Sequence, residues 1–189
     1  TVASASGDGY VLTGAKSFAL HAHAADSLLV TARLGDPRGP MAVFVVPSDT
    51  AGVNRRSAAA IDGRRGAAVS LADVAVPHDA LLGASDTDRS ADVDALIDQA
   101  VLALCAEAAG AMAAVTEQTV EYLKVRKQFD QPLAKFQVLQ HRLVDMNISS
   151  EESRAATHAA LEAFDAGEAD VRTKVWRAKV QAARSARYV

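Results

Sequence analysis

Residues 126–146 of the chain read RKQFDQPLAKFQVLQHRLVDM and contain a break between two helical patterns. Its Asp130-Gln131-Pro132 segment interrupts two long runs in which apolar residues recur every three or four positions, the period of a helix face. The first run spans residues 92–127, which contain no proline, and the second continues from Phe136 to Phe164. Because the connection between them is short, we predict two long antiparallel helices joined as a hairpin.

A third helix is predicted to begin near Asp170, after Asp165-Ala166-Gly167 closes the second, and to run to Val189 without a stop signal. Alanines on several sides of the first helix permit close packing on more than one face. Its main apolar face is predicted to contain Val93, Ile97, Val101, Leu104, Ala108, Ala111, Val115 and Tyr122. Three helices that each present an apolar face indicate an incomplete antiparallel helical bundle, which suggests a fragment of a longer polypeptide.

The part of the chain before the bundle has a different pattern. Gly, Pro and Asp residues divide it into short apolar or alternating runs, which are YVLTG, SLLVTARL, MAVFVVP and AAVSLADVAVP. These have the length and composition of strands, so we predict a small antiparallel β-barrel or β-sandwich domain. The predicted fold class is α+β, with a β domain at residues 1–88, a helical domain at 89–189 and a polar linker, SDTDRSA, at 85–91.

Composition excludes several function classes. The 189 residues are 50% hydrophobic with a net charge of −3, and no Lys/Arg block is longer than a pair, so no nucleic-acid partner is expected. Cys105 is the only cysteine, which excludes a disulfide framework within the chain, and its Ala-rich surroundings predict a small core residue in a reduced, cytoplasmic setting. The first residues are unlike a signal peptide and no uninterrupted apolar span has membrane length, so no membrane span is predicted.

Residues 122–146 are similar to the acyl-CoA dehydrogenase pattern of an aromatic residue, Arg-x-Gln-Phe-Gly, Pro-Leu or Pro-Ile, Phe-Gln-x-x-Gln and Asp-Met. The β part agrees through Gly14-x-Lys16-x-Phe18, Gly63-x-Arg65 and the run from Val69 to Pro77 that precedes Leu81-Leu82-Gly83. The chain therefore resembles the middle β domain of that family followed by the start of its C-terminal helical bundle.

This resemblance implies a function. Members of the family hold FAD between those two domains and convert an acyl-CoA thioester to a 2-enoyl-CoA, passing electrons to the flavin and on to an electron-transfer flavoprotein or an equivalent acceptor. A carboxylate base, a clamp for the FAD pyrophosphate and donors to the thioester carbonyl are required. A homo- or hetero-oligomer is also implied, because the clamp residues reach the FAD of a neighbouring subunit.

The resemblance assigns Arg126, Gln128, Phe129 and Gln137 to FAD binding. A guanidinium suits a phosphate, although Arg126 is also placed to cap its helix and pair with a surface carboxylate. Asp130 departs from the family's Gly and brings a negative charge to this turn.

The flavin edge, an aromatic-Ile-Thr-Asn/Ser run in the family, reads Phe18-Ala19-Leu20-His21 here. Phe18 is expected to pack on the flavin ring, Leu20 has lost the hydroxyl that bonds near N5, and His21 is the candidate replacement donor. No metal is predicted at the pair His21 and His23, because no third ligand accompanies them.

No catalytic base is predicted within the chain. In the isovaleryl type the base lies on the first bundle helix, at the position of Ala100, and the arginine that follows it falls on Val101. Neither Asp98 nor Glu107 is a convincing substitute. An acyl-CoA dehydrogenase subunit, a catalytically degenerate subunit that supports a partner, and a scaffold without ligand therefore remain open. The pairs Arg55-Arg56 and Arg64-Arg65 are interpreted as solvated loop charges rather than contacts to a CoA phosphate.

Overall fold

A computed structural model describes residues 1–83 and 87–189 of the chain. The chain forms two compact units, Thr1–Val93 and Asp94–Val189. The predicted division after residue 88 stays a prediction, and Ser85 and Asp86 of the predicted linker lie outside the described residues.

The first unit contains a six-stranded sheet. Its strands are β1 (Val2–Ser6), β2 (Gly9–Leu20), β3 (Ser27–Leu34), β4 (Met41–Pro47), β5 (Val53–Ala59) and β6 (Arg65–Pro77). They lie side by side in the order β4-β3-β1-β2-β6-β5. Four of the pairings are antiparallel and β1 with β3 is parallel, so the sheet is rich in antiparallel pairs, as predicted.

Alternating burial explains why the predicted strands form. In β3 the side chains of Leu28, Val30 and Ala32 face the core while Leu29 is exposed, and β4 repeats the pattern around Phe44. SLLVTARL and MAVFVVP match β3 and β4 residue for residue. By contrast, β5 (VNRRSAA) is almost wholly exposed and has no apolar alternation, so its sequence gives no strand signal. It forms because it pairs along β6 at the edge of the sheet.

The second unit is helical. It contains most of α1 (Ser90–Val125), followed by a short β-hairpin whose strands β7 (Lys127–Gln128) and β8 (Gln131–Pro132) have two residues each. The helices α2 (Gln137–Asp165) and α3 (Val171–Ser185) complete the unit. These bounds confirm three helices joined by short connections. The expectation that the third helix continues to Val189 is wrong, because after Ser185 the chain enters a turn in which Tyr188 N–H donates to Ser185 O at 2.9 Å.

The core of the helical unit is formed by small residues. Its buried members are Val101, Leu102, Cys105, Ala160, Val175, Ala178 and Ala182. Buried residues on α2 include Ser153, Thr157 and Ala160, and those on α3 include Val175, Ala178 and Ala182. The face predicted for α1 is wrong, because five of its eight members are exposed and only Val101 is buried; the exposed members are Ile97, Leu104, Ala111, Val115 and Tyr122. The buried side of α1 is rotated towards Leu102 and Cys105, since alanines on every face leave its apolar direction poorly defined by sequence.

One helix among the described residues, α1, is long and apolar enough to cross a membrane by length and composition alone. A core helix of a globular protein satisfies the same criterion, and α1 contributes three side chains to the core of the helical unit. The predicted lack of a membrane span stays a prediction.

Candidate functional site

The connection between α1 and α2 turns at Phe129 and Asp130. Gln128 pairs with Gln131 across the hairpin, and the two central residues have φ of 54° and 60°. A type I′ turn requires this left-handed backbone, which bulky residues seldom adopt. Phe129 is 83% exposed, and its ring meets that of Phe136 edge to face at 6.1 Å. A bulky side chain held in this conformation, at a cost of about 1–3 kcal/mol, is typical of a functional site.

Arg126 is the first residue after α1, and its backbone closes the hairpin. Its N–H donates to Tyr122 O at 2.9 Å, and Leu133 N–H donates to its carbonyl at 2.8 Å. The guanidinium is exposed, and within residues 1–83 and 87–189 it forms no hydrogen bond or ion pair. Lys124, on the last turn of α1, instead bonds Glu121 at 2.6 Å. The alternative in which Arg126 pairs with a surface carboxylate therefore has no support in the described residues.

The hairpin leads into the N-terminus of α2. Phe136 occupies the N-cap position without a side-chain hydrogen bond, and the first turn contains no acidic residue. Gln137 is the first helical residue and its side chain is exposed. The first N–H groups of a helix lack intrahelical partners and lie at the positive end of its dipole, so this end of α2 suits an anion.

In the β unit, Phe18 lies on β2 next to β6. Its ring passes close to Gly66, where an added Cβ would lie 2.7 Å from Cζ of Phe18. The ring is 44% exposed, so one side is free to contact a ligand. Leu20 is exposed as well and offers no hydrogen-bonding group.

His21 begins the turn that follows β2, with a φ of 60°. Its N–H donates to Arg65 O at 3.1 Å, and its carbonyl accepts from Ala24 N–H at 3.0 Å and from Ala25 N–H at 3.1 Å. The imidazole is exposed. Backbone bonds therefore fix the conformation of this turn while the side chain of His21 remains available.

The arginine pairs of the β unit are not equivalent solvated charges. Arg55 Nη1 donates to Ala22 O at 3.0 Å and to Ala25 O at 2.9 Å. Arg64 forms an ion pair with Asp62 at 2.6 Å, and this bond holds the pKa of the Asp62 carboxyl below its usual range. Arg55 is exposed, as interpreted, but it lies on strand β5 rather than on a loop and also bonds two carbonyls of the turn after β2.

The segment of α1 that holds the candidate base positions contains a buried carboxylate that the sequence did not predict. Asp98 is 5% exposed, and its Oδ1 has no hydrogen-bond partner among the described residues. Ala100 and Glu107 are exposed, and Val101 is part of the core. No group of three or more His, Cys, Asp or Glu residues in residues 1–83 and 87–189 is arranged to hold a metal ion.

Two sequence models of known domains match the chain. The acyl-CoA dehydrogenase middle domain matches residues 1–74, and the acyl-CoA dehydrogenase C-terminal domain matches residues 93–189. The chain belongs to the acyl-CoA dehydrogenase family. FAD is the cofactor that this membership indicates.

Relatives and solved structures of the family agree. A probable acyl-CoA dehydrogenase of Bacillus subtilis, YngJ, is 34% identical over 160 residues, which are 82% of this chain and 42% of that protein. The crystal structure of a probable acyl-CoA dehydrogenase from Mycobacterium abscessus superposes with a TM-score of 0.90 at 26% identity, over 100% of this chain and 50% of that chain. The ChsE4-ChsE5 complex from Mycobacterium tuberculosis gives a TM-score of 0.81 at 27% identity, over 97% of this chain and 48% of the matched chain. The chain thus spans about half the length of its relatives.

Proposed function

We propose that the chain is part of an FAD-dependent acyl-CoA dehydrogenase that oxidises an acyl-CoA thioester to a 2-enoyl-CoA. The observation that carries the proposal is the connection between α1 and α2. The unpaired guanidinium of Arg126 directly precedes the hairpin, and the uncapped N-terminus of α2 follows it after a short 3-10 turn, Leu133–Lys135. Both groups are positive and neither has an anionic partner among the described residues, which is the arrangement that a pyrophosphate requires.

The residues of the hairpin have separate roles in this proposal. Arg126 supplies a charge-assisted bond to the pyrophosphate, while Gln128 and Gln137 supply neutral donors to the dinucleotide. Phe129 supplies an exposed aromatic face that excludes water from the bound group. Bound FAD would supply the hydride acceptor for oxidation of the acyl chain. The hairpin binds and orients the dinucleotide.

The β unit contributes the flavin edge. One side of the Phe18 ring lies against Gly66, and a flat heterocycle packs on its exposed side. Since Leu20 offers no donor, the exposed His21 is the polar group of this edge. No residue of α1 is assigned as the base that removes the proton next to the thioester, because no described carboxylate of this helix is both exposed and at the expected position.

The test uses the full-length protein expressed alone, because the chain spans about half of its relatives. We expect a yellow protein whose visible flavin absorbance bleaches under anaerobic conditions when an acyl-CoA substrate is added, and recovers when electron-transfer flavoprotein is supplied. A protein that binds FAD but is bleached by none of a panel of straight-chain, branched and sterol side-chain thioesters would contradict the proposed reaction.

A second candidate is a catalytically degenerate subunit that supports a competent partner. Leu20 and Asp130 favour it, because the first removes a donor near the flavin and the second places a carboxylate in the clamp. The solved ChsE4-ChsE5 complex shows that a structural neighbour forms a complex of two different chains. A colourless protein that acquires flavin only when a paralogue is co-expressed would favour this candidate over the first.

A further inference from the structure

Two adjacent arginines of β5 differ sharply in their contacts. Arg55 pairs with Val69 of β6, and Arg56 pairs with Ala68. Both arginines are exposed, but Arg55 shares a face of the sheet with its buried cross-strand partner Val69, and its guanidinium bonds the turn after β2. Arg56, on the other face, is exposed and has no hydrogen bond or ion pair in the described parts of the chain.

The guanidinium of Arg55 joins two carbonyls of one turn. Its Nη1 donates to Ala22 O at 3.0 Å and to Ala25 O at 2.9 Å, across 33 and 30 residues of sequence. Charged donors make stronger bonds to carbonyls than neutral donors do. A strand distant in sequence therefore fixes the end of the turn that begins at His21.

His21 needs this support because its backbone is left-handed, with a φ of 60°. Such a conformation costs a residue with a side chain free energy and persists only where the surrounding bonds determine it. At the start of the turn, His21 N–H bonds Arg65 O, and at the end Arg55 holds the carbonyls of Ala22 and Ala25. The exposed imidazole projects from a turn that is held at both ends.

We propose that Arg55 is a positioning residue, which acts through the turn to hold His21 as the hydrogen-bond donor at the flavin edge. The inference rests on the proposed function. It also explains how a chain with Leu20 keeps a polar group at this edge. Arg55 itself does not touch the flavin in this proposal, and its effect on the cofactor passes entirely through His21.

The test is a double-mutant cycle on the full-length protein, with Arg55→Met, His21→Gly and the double variant. Glycine is chosen at position 21 because it adopts the left-handed backbone without strain. Arg56→Met is the matched control, since it removes the same charge from the neighbouring position without breaking a bond. The two readouts are the FAD dissociation constant, from quenching of flavin fluorescence, and the reduction potential of bound flavin, from equilibration with a reference dye.

We expect Arg55→Met to weaken FAD binding about tenfold, the effect of one lost hydrogen bond to a ligand, and to shift the potential of bound flavin. Arg56→Met should stay within about twofold of the unmodified protein. In the His21→Gly background, Arg55→Met should change neither readout further. If Arg55→Met fails to fold, Arg55→Lys, which keeps one donor, enters the same cycle and should give a smaller effect in the same direction.

Two results would overturn the inference while leaving the proposed function intact. The first is a protein that binds FAD equally well with Arg55→Met and with Arg56→Met. The second is an effect of Arg55→Met that persists undiminished beside His21→Gly, which would show that Arg55 acts on stability or on the cofactor directly. A full-length protein that binds no FAD in any form overturns the proposed function, and this inference with it.

Discussion

Asp130 offers a sharp test of the clamp. The hairpin at residues 126–132 carries Arg126, Lys127 and Asp130, so the carboxylate opposes the two cations that would attract a pyrophosphate. Replacing Asp130 by Asn removes the charge and retains a residue that tolerates the φ of 60° found there. We therefore predict that Asp130→Asn tightens FAD binding by the full-length protein.

The magnitude follows from Coulomb's law. Two unit charges about 8 Å apart in water interact by about 0.5 kcal/mol, so one carboxylate opposes a doubly charged pyrophosphate by about 1 kcal/mol, or about fivefold in the dissociation constant. Asp130 is exposed, so salt screens the effect. The gain should fall towards zero near 1 M salt, where the Debye length is about 3 Å.

The assay is a titration of the apoprotein with FAD at low and high salt, followed by fluorescence quenching. Asp130→Gly separates charge from backbone, since it also relieves the left-handed conformation and should match Asp130→Asn in FAD affinity while changing the free energy of unfolding by no more than about 1 kcal/mol. Glu151→Gln, which removes an exposed carboxylate from α2, is the charge control. Unchanged affinity in Asp130→Asn at low salt, or a gain that salt does not diminish, would refute the electrostatic reasoning.

Three further predictions concern the fold. Val175→Ala, at a fully buried position of α3, should lower the free energy of unfolding by about 2–3 kcal/mol in a urea titration, whereas exposed Thr173→Ala should change it by less than about 0.5 kcal/mol. Gly66→Ala should destabilise the β unit, because the added Cβ would lie 2.6 Å from a backbone oxygen. Gly110→Ala, in an open position of α1, should instead stabilise the protein by about 0.5–1 kcal/mol. Equal changes in melting temperature for the two variants would contradict both predictions. Burial raises the pKa of the Cys105 thiol, so between the unfolded pKa of about 8.5 and the higher folded value only the unfolded chain ionises, and stability falls as pH rises. A thiol reagent at pH 8.5 should therefore react with Cys105 only in denaturant, and rapid reaction of the native protein would contradict its burial.

The sequence predicts the elements whose own residues show the apolar periodicity of a strand or a helix. SLLVTARL alternates apolar and other residues, and Asp130-Gln131-Pro132 interrupts two helical periods, so β3 and the helical hairpin are both found where they are predicted. The edge strand β5 could not be predicted, because its residues bury almost nothing and its hydrogen bonds are supplied by β6. Pairing between strands distant in sequence leaves little trace in the composition of an edge strand.

The same distinction applies to the candidate site. The motif around Arg126 is contiguous in sequence, so it can be recognised by its resemblance to the family pattern. That the Arg126 guanidinium has no partner among the described residues is seen only in the structure. The role of Arg55 depends on carbonyls that lie 30 and 33 residues away, which no local pattern connects to it. The burial of Asp98 depends on how α1 is rotated, and the many alanines of that helix obscure its rotation.

FAD binding by the hairpin can be measured by calorimetric titration of the full-length apoprotein with FAD, compared between the unmodified protein, Arg126→Met and Arg154→Met. Arg154 is the control because its guanidinium is held by Glu151 on α2. We expect one FAD per chain, binding weakened by about tenfold to a hundredfold in Arg126→Met, as for a lost charge-assisted bond, and no more than about a twofold change in Arg154→Met. Absence of FAD binding by the unmodified protein, or equal binding by Arg126→Met, would contradict this expectation.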